Sequence, residues 1–418
     1  NTFNLHIASM SPTLKSGRLN ELPVTNPLSV GIIGGGQLGK MIALEAKRMA
    51  LKICILDPSS SCPASSVSDE LIVANFTDEQ AIRKLATKSD VITYEIELAN
   101  SKALIDLASK NHNLVNPSPE TLKIIQDKYK QKSFLKENKL NVTSFELVNS
   151  EEELFDLCQD YGFPVVLKAR EQSYDGRGNY LIRSKGEISK AFSRFAGGGE
   201  ERQLMVEKFV KFRQEISIMV ARNRGGQISS FPAAENIHKD HILNLTIVPA
   251  RVSNRVASNA KKMAEKALSA LKGAGIFGIE MFVTHDDQVM INEIAPRPHN
   301  SGHYSIEACS VSQFEQHIRA ILDLPISEPR LLCPAVAMIN ILGPRNYVGP
   351  YVISGVTKLL SIPGLTLHIY GKKISQPKRK LGHITILGKS MHETLSRVNM
   401  ANRIIKVCPD TQNRGDLN

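Results

Sequence analysis

The chain has 418 residues, with 52 Lys and Arg against 41 Asp and Glu and a formal net charge of +11. Its 42% hydrophobic and 22% charged residues are typical of a folded globular protein of roughly two to four domains, which excludes wholesale disorder, and no apolar run approaches the roughly 20 residues of a membrane-spanning helix. The basic excess leaves nucleic acid, a membrane surface and small anions open as partners.

The first predicted elements form a domain at residues 28–119. It follows residues 1–27, which we expect to be a disordered extension, with an organellar transit peptide as the alternative. Ser29–Ile33 has the β-branched content of a buried strand, and Lys52–Leu56 and Ser89–Glu95 are predicted as further strands. Because helical segments separate them, we expect a parallel, doubly wound sheet.

A second domain is predicted at residues 120–328, with a lid at about 141–208. It opens with one long helix, Glu120–Asn138. Its remaining elements are predicted as strands at Phe163–Lys168, Leu204–Glu207, Gln214–Val220, 276–283 and 289–294, and helices at Ala257–Ala274 and Ser312–Leu322.

The last predicted domain, residues 329–408 before a tail at 409–418, carries most of the charge. Residues 331–418 hold twelve Lys and Arg against three acids, which accounts for +9 of the +11. Apolar runs such as Pro334–Leu342 predict a folded basic domain rather than a nucleic-acid-binding tail. The six scattered cysteines, without a CxxC pair, predict reduced thiols and a cytoplasmic protein, or an organellar one if the extension is a transit peptide.

The glycine loop Gly34-Gly-Gly-Gln-Leu-Gly39 has the spacing of a dinucleotide fingerprint between a strand and a helix. Asp57 ends the next strand, where an NAD-binding protein would hold the ribose. Binding of another phosphate, or simple packing of the helix on the strand, fits the loop equally well. The loop alone therefore leaves three interpretations open.

A nucleotide-phosphate site is suggested by Lys168 and the loop Ser173–Gly178. Lys168 ends an apolar strand, where a buried ammonium group requires an anion. The loop that follows combines glycines with Arg177, which suits either a phosphate cover or a surface turn.

A metal site is suggested by Glu280 and Glu293. A hairpin turn centred on Asp286-Asp287 would place these two acids directly opposite each other, an unfavourable arrangement that Mg²⁺, or alternatively Mn²⁺, would relieve. Two solvated acids on an exposed hairpin are the alternative. His299 and His303 favour zinc less, because no third ligand is spaced with them.

Taken together, these segments resemble the ATP-grasp ligases, and among them the 5-(carboxyamino)imidazole ribonucleotide synthetases of purine biosynthesis. The resemblance covers about residues 29–390. It rests on the glycine loop and on Asp90-Val-Ile-Thr-Tyr-Glu-Ile-Glu97, Ile125-Gln-Asp-Lys128, Ser173-Tyr-Asp-Gly-Arg-Gly-Asn179, Asn292-Glu-Ile-Ala-Pro-Arg-Pro-His-Asn-Ser-Gly-His303 and Arg379-Lys-Leu-Gly-His-Ile-Thr385.

The resemblance implies an α/β and α+β protein, with an ATP-grasp fold between an N-terminal Rossmann-like pre-ATP-grasp domain that binds no NAD and a small C-terminal domain. It implies an ATP-dependent ligase that carboxylates 5-aminoimidazole ribonucleotide with bicarbonate, through carboxyphosphate, giving 5-(carboxyamino)imidazole ribonucleotide, ADP and phosphate. A homodimer and a separate carboxyaminoimidazole ribonucleotide mutase as pathway partner are further expectations, with no nucleic acid and no membrane as partners.

The resemblance also assigns roles to individual residues. It implies that ATP is bound by Lys128, Lys168, Tyr174, Asp175, Gly176, Arg177, Gly178, Glu207, Lys208, Phe209, Val210, Glu215, Asn292 and Glu293. It implies that the ribonucleotide is bound by Gly36, Gln37, Leu38, Glu95, Tyr174, Arg177, His299, Asn300, Arg379 and Lys380. It places Asp175, Arg297 and His299 among the catalytic groups and Mg²⁺ on Glu280 and Glu293.

Three alternatives remain at this point. Another ATP-grasp ligase, such as a formate-using glycinamide ribonucleotide transformylase, would differ around His299 and Arg379. An NAD-dependent enzyme would use the glycine loop. A nucleic-acid binder would use the basic charge, but the aromatic content of 6% and the absence of an aromatic-rich basic strand disfavour it.

Overall fold

The structure, a computed structural model of the chain, describes residue 22 and residues 24–171, 178–196 and 203–411. The N-terminal elements are β1 (Ser29–Ile33), α1 (Gln37–Arg48), β2 (Lys52–Asp57), β3 (Glu70–Val73), α2 (Glu79–Thr87), β4 (Val91–Tyr94) and α3 (Ser101–Lys110). The strands lie in the order β3-β2-β1-β4, and all neighbouring pairs are parallel. Helix α1 covers one face of the sheet and α2 and α3 cover the other, so the doubly wound parallel sheet is confirmed.

The single long helix predicted at Glu120–Asn138 is wrong, because the chain breaks at Asp127. Helix α4 (Pro119–Gln126) and helix α5 (Lys128–Glu137) flank this residue, whose backbone is extended. Its carboxylate accepts hydrogen bonds from the backbone amides of Tyr129 and Lys130 and pairs with Arg170. A buried ion pair formed across 43 residues therefore decides where α5 begins, and no local periodicity encodes it.

We expect Asp127→Ala to lower the free energy of unfolding by about 3 kcal/mol, because it removes the cap of α5 and leaves Arg170 without its buried partner. Urea denaturation measures the change. Asp78→Ala is the matched control, since Asp78 only caps α2, through the amide of Ala81, and its loss should cost about 1 kcal/mol. If the two variants lose equal stability, the ion pair contributes nothing.

A small antiparallel sheet follows α5. Its elements are β5 (Phe145–Val148), α6 (Glu151–Tyr161), β6 (Val165–Ala169), β7 (Asn179–Ile182), α7 (Ile188–Ala196) and β8 (Leu204–Lys208). The strand order is β5-β8-β6-β7, and α6 and α7 pack on one face against Leu167 and Val206. Because side chains alternate along a strand, Lys168 and Glu207 project from the opposite face.

The largest sheet has nine strands. The elements that follow β8 along the chain are β9 (Phe212–Arg222), β10 (Ile228–Ser230), β11 (Ala234–Lys239), β12 (Ile242–Val248), α8 (Asn254–Leu271), β13 (Gly275–Thr284), β14 (Val289–Ala295), α9 (Ser305–Ala308), α10 (Gln313–Ile321), β15 (Ala335–Leu342), β16 (Gly349–Ser354), α11 (Val356–Leu360), β17 (Leu365–Ile369), β18 (Ile374–Ser375), β19 (Lys380–Gly388), α12 (Met391–Ile404) and β20 (Lys406–Pro409), and all of these strands except β16, β18 and β20 belong to the large sheet. Its strands run β14-β13-β9-β11-β12-β15-β19-β17, with β10 paired to β9.

This sheet crosses the predicted domain boundary near residue 329. Strand β12 pairs with β15 in an antiparallel ladder from Leu245 opposite Ile339 to Val248 opposite Val336. The basic C-terminal part is thus folded onto the same sheet, with α12 packed on β15 and β19 and a separate small sheet ordered β18-β16-β20. The exact boundary between the two domains stays a prediction.

The described residues carry two further features that bear on the predictions. All six cysteines lie among them, and none forms a disulfide. None of the helices found there combines the length and the apolar character needed to cross a membrane.

Candidate active site

The hairpin of β13 and β14 places Glu280 directly opposite Glu293, as predicted. The predicted turn centre, between Asp286 and Asp287, is nevertheless wrong by half a residue. Next to the turn Val283 faces Val289, which centres the turn on Asp286 itself. A β-bulge at Asn292 adds one residue to β14 and restores the pairing of the two acids. Without the bulge Glu280 would face Asn292, so the bulge is what brings the two carboxylates together.

The two opposed acids have different electrostatic environments. Burial, together with the nearby charges of Glu293 and Glu215, raises the pKa of Glu280 to about 7. Burial also opposes ionisation of Glu293, but the ammonium of Lys128, whose Nζ lies 2.8 Å from Glu293 Oε1, outweighs it and holds the pKa of Glu293 below its ordinary value. Lys380 is close enough to favour the ionised form of Glu280. Glu280, Glu293, Lys128 and Lys380 therefore belong to one site.

Lys168 and Glu207 meet on the face of the small sheet that carries no helices. The Nζ of Lys168 lies 2.7 Å from Glu207 Oε2, and the Nζ of Lys132 lies 3.3 Å from Glu207 Oε1. Burial opposes ionisation of Glu207, but the two ammonium groups outweigh it and lower its pKa to about 2. The anion that a lysine at the end of an apolar strand requires is thus supplied in part by the protein itself.

Glu215 lies on β9, the strand next to β13 in the large sheet, and its carboxylate pairs with the Nδ1 of His238 on β11. Burial disfavours the imidazolium, but the hydrogen bond and charge of Glu215 outweigh it, so the pKa of His238 is raised above its ordinary value. His238 also acts on the charge of Glu280. The acid assigned to the ATP site by resemblance is thus held next to the two opposed carboxylates.

Arg297 and His299 follow β14 and are both held by acids. The guanidinium of Arg297 makes a two-pronged ion pair with Glu97, at 2.9 Å from Nε and 3.2 Å from Nη2. The Nε2 of His299 lies 3.4 Å from Glu280 Oε1, while its Nδ1 accepts from the backbone amide of Ser301. The Nε2 nitrogen therefore carries the ring proton and faces Glu280.

The glycine loop is occupied by carboxylates of the protein. Glu95 accepts hydrogen bonds from the backbone amides of Gly36 and, at 2.6 Å, Gly39, and Asp57 accepts one from Gly35 at 2.8 Å. A Cβ at Gly36 would lie 2.5 Å from Glu95 Oε1, so the glycine is needed for this close approach. The donors that would bind a pyrophosphate are used within the protein, which is evidence against the NAD interpretation.

Not every predicted site residue reaches this centre. Asn300 is buried and exchanges two amide hydrogen bonds with Asn340, Arg379 donates to the carbonyl of Ile374, and the side chain of Leu38 packs in the core under α1. The segment Lys208, Phe209 and Val210 connects the small sheet to the large one, and Gly178 immediately precedes β7. Gln37 is the first residue of α1. The predicted residues Tyr174, Asp175, Gly176 and Arg177 lie outside the described residues.

Three residues of the site are absent from the predictions. Lys132 lies four residues after Lys128, a spacing that puts both on one face of α5 and could have identified it. Glu97 lies two residues after Glu95 in the same predicted segment, so its presence near the site was inferable but its partner Arg297 was not. His238 has no local signal, because only the pairing of β11 with β9 brings it to Glu215.

Three family models match the chain. The ribonucleotide synthetase preATP-grasp domain matches residues 28–126, the ATP-grasp domain residues 133–314, and the phosphoribosylaminoimidazole carboxylase C-terminal domain residues 336–397. The fold class predicted from the sequence, an ATP-grasp fold between a pre-ATP-grasp domain and a small C-terminal domain, is therefore confirmed.

Curated relatives and solved structures extend these matches. The chain is 42% identical to the phosphoribosylaminoimidazole carboxylase of Saccharomyces cerevisiae over 380 residues, 89% of the chain but only 65% of that relative, so it spans about two thirds of the relative's length. It is 39% identical to the N5-carboxyaminoimidazole ribonucleotide synthase of Bacillus subtilis, over 88% of the chain and 94% of the relative. The N5-carboxyaminoimidazole synthase of Aspergillus clavatus, solved with ADP and 5-aminoimidazole ribonucleotide, superposes with a TM-score of 0.81 at 34% identity, covering 90% of the chain and 98% of that structure.

Proposed function

Because the chain belongs to the N5-carboxyaminoimidazole ribonucleotide synthase family, we propose that it carboxylates 5-aminoimidazole ribonucleotide with bicarbonate in a reaction driven by ATP. The products are 5-(carboxyamino)imidazole ribonucleotide, ADP and phosphate. One observation carries the proposal: two opposed carboxylates, Glu280 and Glu293, lie beside the ammonium group of Lys128. The ligands of the Aspergillus clavatus structure support the same substrates.

The lysines of the site are suited to nucleotide phosphates. Lys128 begins α5 and Lys168 is the penultimate residue of β6, so each is held on a rigid element. Both are largely buried, at 13% and 10% exposure of their side chains, and an ammonium group in such surroundings interacts with a phosphate far more strongly than it would in water. We propose that both contact the phosphates of ATP, with Glu215 near the ribose.

Glu280 and Glu293 fit a divalent cation. No described group of three or more His, Cys, Asp and Glu side chains has the arrangement of a complete metal site, but Mg²⁺ commonly uses one or two carboxylates together with phosphate oxygens. Two opposed acids, one of them partly buried with a raised pKa, supply that donor set. When bound, Mg²⁺ or Mn²⁺ would offset negative charge on the phosphate oxygens.

In the proposed reaction a bicarbonate oxygen attacks the γ-phosphorus of ATP. The bond to the bridging oxygen breaks, ADP leaves and carboxyphosphate forms. The exocyclic amine of the ribonucleotide then forms a C–N bond with the carboxyl carbon, either of carboxyphosphate or of CO₂ released from it, and phosphate leaves with the proton of the amine. Water must be excluded meanwhile, because it would hydrolyse the intermediate.

The side chains that follow β14 are suited to the second step of the reaction, in which the C–N bond forms. We propose that Arg297, oriented by its ion pair with Glu97, binds the carbonate portion, since a guanidinium presents paired donors to planar oxyanions. His299 presents its Nε2 proton to Glu280 and, in the proposal, lines the ribonucleotide site with Lys380. Asp175 is proposed from the resemblance to orient the amine.

The proposal predicts rapid ADP release with ATP, Mg²⁺ and bicarbonate when 5-aminoimidazole ribonucleotide is present, and slow release without it. A coupled ADP assay measures the rate, and ¹³C-bicarbonate followed by NMR identifies the carbamate. Turnover with formate and glycinamide ribonucleotide, but none with the imidazole, would instead assign the chain to a different ATP-grasp reaction.

The remaining partners and the location are also proposals. The family resemblance supports the proposal of a homodimer and of a separate carboxyaminoimidazole ribonucleotide mutase that uses the product. The scattered cysteines support the cytoplasm as location, with an organelle as the alternative if residues 1–27 are a transit peptide. The charge of the C-terminal part supports a ribonucleotide phosphate near Arg379 and Lys380, and the basic excess then needs no nucleic acid to explain it.

A further inference from the structure

Lys132 is a buried lysine to which the proposed reaction gives no role. Its side chain is 3% exposed, and its Nζ lies 3.3 Å from Oε1 of Glu207. The other oxygen of the same carboxylate lies 2.7 Å from the Nζ of Lys168. One buried carboxylate is therefore shared between two ammonium groups that come from different elements, α5 and β6.

The charges in this corner of the site do not balance. Among the described residues, the single carboxylate of Glu207 contacts the ammonium groups of both Lys132 and Lys168, so two positive charges face one negative charge there. A buried charge without a counterion is costly, and fold stability alone would favour a balanced or apolar cluster. A surplus buried cation is therefore expected only where an anion binds.

Helix α5 contributes the second positive partner of Glu207. Lys128 and Lys132 are four residues apart, on one face of the helix, and each contacts a different acid. Lys168 makes the shorter contact with Glu207, at 2.7 Å, and would by itself neutralise that carboxylate. The positive charge that remains for a ligand therefore depends on the presence of Lys132.

We propose that Lys132 is a positioning residue for nucleotide binding: it neutralises Glu207, so that the ammonium group of Lys168 acts on the phosphates of the nucleotide. The inference rests on the proposed function, because it takes those phosphates as the anion. Without Lys132, Glu207 would be neutralised by Lys168 alone, and Lys168 would have little net charge to offer.

The test measures binding of a non-hydrolysable ATP analogue with Mg²⁺ by calorimetry. Lys132→Met, which keeps the side-chain length, is expected to weaken binding by about tenfold, because a charge-assisted contact with the phosphates is lost. Lys130→Met is the matched control on the same helix, since its side chain is 50% exposed and pairs with the capping residue Asp127, and it should bind as the unmodified chain does.

The double variant Lys132→Met with Glu207→Gln separates charge from packing. If Lys132 acts by neutralising Glu207, the double variant should bind the analogue at least about threefold more tightly than Lys132→Met alone. Failure of this rescue, or unchanged binding by Lys132→Met, would overturn the inference. Failure of the unmodified chain to bind the analogue would instead overturn the proposed function.

A pH series gives a readout that a packing role would not change. Burial, together with the nearby charge of Lys168 on β6, lowers the pKa of Lys132 to about 8. The charges of Glu207 on β8 and Glu293 on β14 act in the opposite direction but do not outweigh burial. Binding is therefore expected to weaken above about pH 8, as Lys132 loses its proton. Lys132→Arg, which stays protonated, should remove this weakening; the same pH dependence in both proteins would contradict the proposal.

Discussion

Glu293→Gln is expected to reduce ATP turnover by about 10³-fold while the protein remains folded. The substitution keeps the shape of the side chain but removes the carboxylate that faces Glu280 and pairs with Lys128 at 2.8 Å. It thereby removes a donor for the divalent cation, which would offset the charge that develops on the phosphoryl oxygens. Initial rates of ADP release measure the effect.

The variant should stay folded, because Lys128, which is 13% exposed, loses its partner but the repulsion between Glu293 and Glu280 is relieved at the same time. Circular dichroism and the thermal midpoint check the fold. Asp286→Asn, on the exposed turn of the same hairpin, is the matched control for removal of one acidic charge, and its turnover should stay normal. Normal turnover in a folded Glu293→Gln protein would remove Glu293 from the proposed metal site.

Arg297→Lys is expected to lower kcat by about 10²-fold with little change in KM for ATP. Lysine keeps the positive charge beside Glu97 but cannot present two parallel hydrogen-bond donors to a planar carbonate. Because Arg297 pairs with Glu97, whereas Lys128 pairs with Glu293 and Lys168 with Glu207, the nucleotide should still bind. The loss should therefore appear in the bicarbonate dependence of ADP release.

The matched control for Arg297→Lys is Arg213→Lys. Arg213 makes a comparable ion pair with Asp287, at 2.5 Å, on the surface of the same sheet, and its replacement should leave the bicarbonate dependence unchanged. If Arg297→Lys shows the same KM for bicarbonate and the same kcat as the unmodified chain, the proposed grip on carbonate is wrong.

The N-terminal sheet could be predicted from the sequence because short-range patterns determine it. Strand Ser29–Ile33 ends where the apolar β-branched run ends, as predicted. The hairpin follows from two apolar runs around Asp286-Asp287, but regular alternation would set Glu280 opposite Asn292, and the pairing of the two glutamates depends on the bulge. The role given to Lys128 came from motif resemblance, whereas Lys168 was also indicated by its place at the end of an apolar strand, and the structure places both lysines against acids.

By itself, therefore, the sequence determined the order of the elements, the parallel sheet and the hairpin that carries the two acids. Only the tertiary structure decided that α5 begins after Asp127, that a bulge at Asn292 sets the register, and that Glu207 is shared by Lys132 and Lys168. Each of these depends on partners far apart in the chain, whose interaction is strong only because folding removes them from water. The periodicity of neighbouring residues carries no information about such partners.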